Sequence, residues 1–116
     1  MISGKRILVV EDEFIVAAMV CDVLEDAGAE PVGPVGRVED GLKIIADQAI
    51  DAAILDWNLH GESGVPLAEA LRARGIPFLI ATGYGAVEAA FSEQPVLGKP
   101  YVPAVLLAQL ELLLEG

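Results

Sequence analysis

Ala52-Ala53-Ile54-Leu55-Asp56 is a run of four apolar residues closed by a carboxylate, and its reading decides the fold. A strand at Ala52–Leu55 shows no alternation of apolar and polar positions, so both of its faces need cover. Asp51 and Asp56 bracket it. Working outward, the same pattern recurs at Ile7–Val10 upstream and at Pro77–Ala81 and Val96–Leu97 downstream. Glu30–Val32 reads as a short second strand that enters a turn at Gly33-Pro34-Val35-Gly36, where glycine and proline favour a chain reversal.

Between these strands the apolar period changes from continuous to helical. Phe14–Ala27 is apolar at helical spacing and stops at Gly28, a residue suited to a helix end. Val38–Ala49 repeats through Leu42, Ile45 and Ala46, and Val65–Arg74 carries Pro66 in its first turn, where proline is tolerated. Gly61–Gly64 is a loop, and Pro103–Leu114 closes the chain as a helix. Ala86–Phe91 could form at most about two helical turns before the turn-like Ser92-Glu93-Gln94-Pro95. Strands alternating with helices through short connections predict a doubly wound α/β domain with right-handed crossovers. The expectation is one domain over residues 1–116, a length of about one ordinary domain.

Composition narrows the function. The chain has 18 acidic residues against 7 basic ones, a net charge of −11. Such a surface repels phosphate backbones and argues against nucleic-acid binding. No apolar run approaches the ~20 residues of a membrane span, and Met1–Arg6 leads straight into a strand, with no signal-peptide pattern. The single cysteine, Cys21, sits in an apolar helical pattern as a small buried hydrophobe, which excludes a disulfide framework and fits a reducing cytoplasm.

In an open parallel sheet, ligands bind outside the carboxyl ends of the strands. Glu11-Asp12, Asp56, Thr82 and Lys99-Pro100 all fall at those ends. Taken singly, the acidic run could cap the first helix, Asp56 could be a turn residue and Lys99 a solvated lysine. Together they place three carboxylates, a hydroxyl and a lysine on one edge. Close carboxylates repel unless a cation neutralises them, and hard oxygen donors suit Mg²⁺. With Mg²⁺ bound, Asp56 can stay ionised as a nucleophile toward phosphorus, and Lys99 and Thr82 can answer the charge on the phosphoryl oxygens.

Val9-Val10-Glu11-Asp12-Glu13, Ala53-Ile54-Leu55-Asp56-Trp57-Asn58-Leu59, Ala81-Thr82-Gly83 and Gly98-Lys99-Pro100-Tyr101 resemble the signature blocks of response-regulator receiver domains, in order and over essentially the whole chain. The resemblance implies a flavodoxin-like (βα)5 fold, a five-stranded parallel sheet in strand order 2-1-3-4-5. It implies that Asp56 accepts a phosphoryl group from a phosphohistidine of a sensor histidine kinase or phosphotransfer protein. Glu11, Asp12, Asp56 and the Asn58 backbone carbonyl would hold Mg²⁺, with Glu11 bound directly or through water, and Lys99 would pair with the phosphoryl group. Thr82 and Tyr101 would form the switch, Tyr101 turning inward as Thr82 moves, and the Lys99–Pro100 bond would be cis. Such a domain is a switch rather than a turnover enzyme, although it catalyses its own phosphorylation and dephosphorylation.

The chain departs from the family's pattern in places. Gly83 follows Thr82 where alanine is more usual, Leu59-His60 replaces Met-Pro, and the stretch from Thr82 to Lys99 is short. This predicts a shortened or irregular fourth helix and an unconventional output face. The Ala-Thr-Gly-Tyr run and Lys-Pro-Tyr are similar to a subgroup of stand-alone alphaproteobacterial receivers tied to stress signalling. With no effector segment before Gly116, output is expected through binding an unidentified downstream protein or by acting as a phosphate sink. A degenerate docking module is a further alternative. A haloacid-dehalogenase-type phosphatase fits less well, because its acid two residues after the nucleophile is here Asn58. His60 reads as a loop residue, Trp57 as packing, and Tyr84 as either a loop aromatic or a partner contact. From Val102 to Leu114 only Gln109 and Glu111 are polar. That helix is covered either by the fold or by a second copy in a homodimer.

Overall fold

The structure is a computed structural model that describes residues 2–59, 61–83, 91, 94–99 and 101–115. Strands β1 (Arg6–Val10), β2 (Glu30–Val35), β3 (Ala52–Asp56), β6 (Phe78–Thr82) and β7 (Val96–Gly98) form a five-stranded sheet in the order β2-β1-β3-β6-β7. Every neighbouring pair in it is parallel. Two further strands, β4 (Asn58–Leu59) and β5 (Glu62–Ser63), pair antiparallel in a small separate hairpin. Without that hairpin the order is the expected 2-1-3-4-5.

The uninterrupted apolar strands are explained by two cores, one on each face of the sheet. Leu8, Val10, Ala53, Leu55, Phe78 and Ile80 point to one face, where they meet Ile45 of α2 (Val38–Asp47) and Leu67, Ala68 and Leu71 of α3 (Val65–Ala73). The alternate residues Ile7, Val9, Ala52, Ile54, Leu79 and Ala81 meet Val20 and Leu24 of α1 (Phe14–Asp26) and Leu106 and Leu110 of α4 (Pro103–Glu115). The period of two along each strand therefore feeds both layers, and neither face is left for polar residues.

The segment from Gly33 to Val35, expected as a turn, instead continues β2. Register shifts between Leu8 and Val10, so that Val10 pairs with Val35. Gly33 takes φ +97 at the irregularity, and a Cβ there would lie 3.1 Å from the Val9 carbonyl oxygen; only glycine fits such a bulge without strain. The strand then resumes, and the Glu11 amide donates to the Val35 carbonyl at 2.8 Å. This irregularity therefore sets where the chain leaves β1 and where the acidic run begins. The loop expected at Gly61–Gly64 is half taken into the β4–β5 hairpin, whose two-residue strands are too short to show a period.

The helix α4 is covered in part by the fold. Leu106 and Leu110 are fully buried and Leu107, Leu113 and Leu114 pack at the margin of the core, while Val105 and Leu112 are exposed. Among the described residues, no helix is long and apolar enough to cross a membrane. The expected fourth helix at Ala86–Phe91 falls outside the described residues except for Phe91. His60, Tyr84 and Pro100, and with Pro100 the expected cis Lys99–Pro100 bond, also fall outside them. The Gly33–Pro34 bond is cis.

Candidate functional site

The residues gathered from the strand ends do converge. Glu11 and Asp12 follow β1, Asp56 ends β3, Thr82 ends β6, and Lys99 follows β7. A cavity of about 360 Å³ is lined by Asp12, Asp56, Asn58, Thr82 and Lys99, together with Glu13, Gly61 and Gly83. Glu11 and Asp56 are buried, at 4% and 3% exposure. Buried carboxylates are rare unless they are paired or face a cation.

Lys99 joins the two carboxylates. Its Nζ lies 2.9 Å from Glu11 Oε1 and 3.0 Å from Asp56 Oδ2, with the exposed Glu13 at 3.9 Å. The other oxygen of Asp56 accepts the Asn58 amide at 3.2 Å, a bond available because the chain turns directly from β3 into β4. Glu11 Oε2 accepts the Glu13 amide at 3.1 Å. The capping that the acidic run could have offered α1 is not made, since Glu13 occupies the N-cap position without a side-chain capping bond. The Tyr101 hydroxyl, buried beneath the site, lies 3.3 Å from Glu11 Oε1.

One lysine does not balance the cluster. Burial pushes the Asp56 carboxyl up to about 7, helped by Glu11, while Lys99 and the Asn58 amide oppose the rise. Burial alone would lower the Lys99 ammonium, but its bonds to Glu11 and Asp56 prevail and raise it. Burial, and then the charges of Glu11 and Asp56, push the Tyr101 phenol upward and keep it a proton donor. One oxygen from each of Glu11, Asp12 and Asp56 lies within 4.8 Å of the others. Three hard oxygen donors at that spacing fit a small divalent cation that keeps several waters.

Sequence reading missed three features of this site. Glu13 faces Lys99 as well as beginning a helix, a role its place in an acidic run could have suggested. The Tyr101–Glu11 hydrogen bond spans 90 positions, beyond the reach of any local pattern. Phe91 was read only as the end of a weak helix. It is 3% exposed and lies edge-on to Trp57, the residue after the buried aspartate.

The model of the response regulator receiver domain matches residues 7–110. The phosphate regulon transcriptional regulatory protein PhoB of Pseudomonas aeruginosa is 32% identical over 121 residues, covering 97% of this chain and 52% of PhoB. The chain thus spans about half the length of the curated relatives it matches. The solution structure of SdrG from Sphingomonas melonis Fr1 is 45% identical with a TM-score of 0.86, covering 98% of this chain and 99% of SdrG. SdrG has also been solved in a BeF3-activated conformation, 46% identical with a TM-score of 0.79, covering 95% of this chain and 98% of that one. The receiver domain of the sensor histidine kinase PA1611 from Pseudomonas aeruginosa PAO1 shares the fold at 22% identity, TM-score 0.84, covering 98% of this chain and all of that one. Its crystal structure has a magnesium ion coordinated in the active site cleft. The acidic pocket of Glu11, Asp12 and Asp56 fits the phosphoacceptor site of such domains, and the chain belongs to the response regulator receiver domain family of two-component signalling.

Proposed function

We propose that Asp56 accepts the phosphoryl group, from a phosphohistidine on a sensor histidine kinase or histidine phosphotransfer protein, and that the chain signals as a switch through contact with another protein. The observation that carries this is the placement of a buried aspartate in an open cavity, held by Lys99 and flanked by two further carboxylates. A carboxylate oxygen of Asp56 forms the bond to phosphorus as the phosphorus–nitrogen bond of the donor breaks, and the imidazole leaves with the electron pair. Lys99 lies close enough to follow the transferred charge onto the phosphoryl oxygens, and Thr82 lines the same cavity and can donate a hydroxyl. The domain would catalyse this transfer, and the later hydrolysis, on itself.

Glu11, Asp12, Asp56 and the Asn58 backbone carbonyl are the proposed Mg²⁺ ligands. Bound there, the ion would neutralise the carboxylates and the incoming phosphoryl charge. The metal-bound PA1611 domain and the BeF3-activated SdrG support this reading by likeness. The proposed setting is the bacterial cytoplasm, with a kinase or phosphotransfer donor and an unidentified downstream protein as partners. The exposed Val105 and Leu112 on α4 support self-association through that helix. Light scattering at high concentration tests it, and a strictly monomeric species would remove it.

The central test is incubation with Mg²⁺ and acetyl phosphate, or with beryllofluoride. With acetyl phosphate a mass increase of one phosphoryl group is expected, with either reagent a change in Trp57 fluorescence, and Asp56→Asn should abolish both. A wild-type protein that shows neither, or an Asp56→Asn protein that shows both, would defeat the assignment.

A further inference from the structure

Tyr101 is seated inside the fold, at 7% exposure. Its hydroxyl donates to Glu11 Oε1 at 3.3 Å. The same oxygen receives Lys99 Nζ at 2.9 Å, and the other oxygen receives the Glu13 amide at 3.1 Å. A carboxylate offers about four lone-pair sites, so three protein donors leave Glu11 little to give a cation.

We propose that Tyr101 is a positioning residue for cation binding: its hydroxyl and a divalent cation draw on the same Glu11 carboxylate, so binding of the cation and the inward seat of Tyr101 oppose one another. The inference rests on the reading of Glu11, Asp12 and Asp56 as the metal cluster. Each donor withdraws electron density from the carboxylate and weakens its other bonds. A divalent cation, bound directly or through water, does so more strongly than a neutral phenol. Asp56 already takes Lys99 and the Asn58 amide, so Glu11 is the carboxylate that the phenol holds. The ring has room to respond, since a mainly apolar cavity of about 360 Å³ adjoins it, lined by Val16, Met19, Gly83 and Tyr101 with the charged Glu13 and Lys99. Coupling between two such equilibria is reciprocal. Loading the cluster therefore loosens Tyr101 before any phosphoryl group arrives, and the state of the metal site reaches the α1 flank through Glu11.

The test is a Mg²⁺ titration at constant ionic strength, followed by Trp57 fluorescence, of the wild type and Tyr101→Phe. Removing the hydroxyl should tighten Mg²⁺ binding about 3- to 10-fold, part of what a hydrogen bond to a charged group contributes. A merely structural role for Tyr101 would weaken binding instead. In the wild type labelled with 3-fluorotyrosine, one of two tyrosine signals disappears in Tyr101→Phe and so identifies Tyr101. That signal should move toward the solvent-exposed position as Mg²⁺ saturates. Equal or weaker binding by Tyr101→Phe, or a Tyr101 signal unmoved by Mg²⁺, would each overturn the inference alone. A wild type whose Trp57 does not respond to Mg²⁺ at all would overturn the metal reading as well, which separates the two failures.

Discussion

Trp57 meets Phe91 edge to face, with ring centroids 5.7 Å apart and planes at 70°. Phe91 also lies edge-on to Phe78 at 6.4 Å and beneath the Arg72 guanidinium at 4.3 Å. The residue after the proposed acceptor thus packs directly on a buried ring that also meets Phe78 of β6. Phe91→Ala should cost about 3–5 kcal/mol, the usual loss for emptying a buried phenylalanine site. Phe91→Leu should cost less and keep a folded protein. Urea unfolding measures both, and a loss below about 1 kcal/mol for alanine would show that the Phe91 ring contributes little to the fold.

Gly64 tests the other side of the same indole. A Cβ at this position would lie 2.9 Å from Trp57 Cε3 and 3.2 Å from the Asp56 carbonyl oxygen. The backbone there is helical, with φ −74, so crowding alone decides the outcome. Gly64→Ala should destabilise by about 1–3 kcal/mol, as overpacking does, and should shift Trp57 emission in the native state. Unchanged emission and stability would mean that the ring moves aside freely.

How much of this was readable in advance differs from element to element. The sheet was legible because residues buried on both faces leave uninterrupted apolar runs, as at Ile7–Val10 and Ala52–Leu55. The site was legible because Glu11, Asp12, Asp56, Thr82 and Lys99 each follow or end such a run. The strand order came from likeness to a family, since parallel pairing leaves no local signal of which strand lies beside which. Gly33-Pro34-Val35 misled because a bulge uses the same residues as a turn, and only the partner strand decides between them. Tyr101–Glu11 and Trp57–Phe91 are tertiary contacts, and nothing near any of these four residues encodes its partner.

Cys21 should be a slow nucleophile. Burial, and then the charges of Glu25 and Asp22, push its thiol upward, so less of the reactive thiolate is present at neutral pH. Alkylation by iodoacetamide at pH 7.5 should run at least ~10-fold slower in the native protein than in urea, and should speed up as pH rises. A native rate equal to the unfolded one would show that neither the burial nor the acidic neighbours protect the thiol.

Asp56 makes the metal-free protein pH-sensitive, and the sign follows from its raised carboxyl. The group titrates near 7 when folded, against an ordinary value of 3.8, so the folded state holds the proton more tightly than the unfolded one. Its contribution is fully present below about pH 4 and is lost as pH rises through about 7. In EDTA, the wild type should therefore lose stability between about pH 4 and 7 relative to Asp56→Asn, which cannot ionise there. At pH 8 the variant should be the more stable by roughly 1–3 kcal/mol, a figure discounted from the ~1.4 kcal/mol that each tenfold change in proton affinity carries. Mg²⁺ should narrow that gap by stabilising the ionised wild type and leaving the variant with one carboxylate fewer to bind it. Denaturant midpoints across pH, with and without Mg²⁺, measure all of this. A wild type as stable as Asp56→Asn at pH 8 in EDTA would mean that Lys99 already compensates the buried charge, and that the cluster needs no cation to hold it.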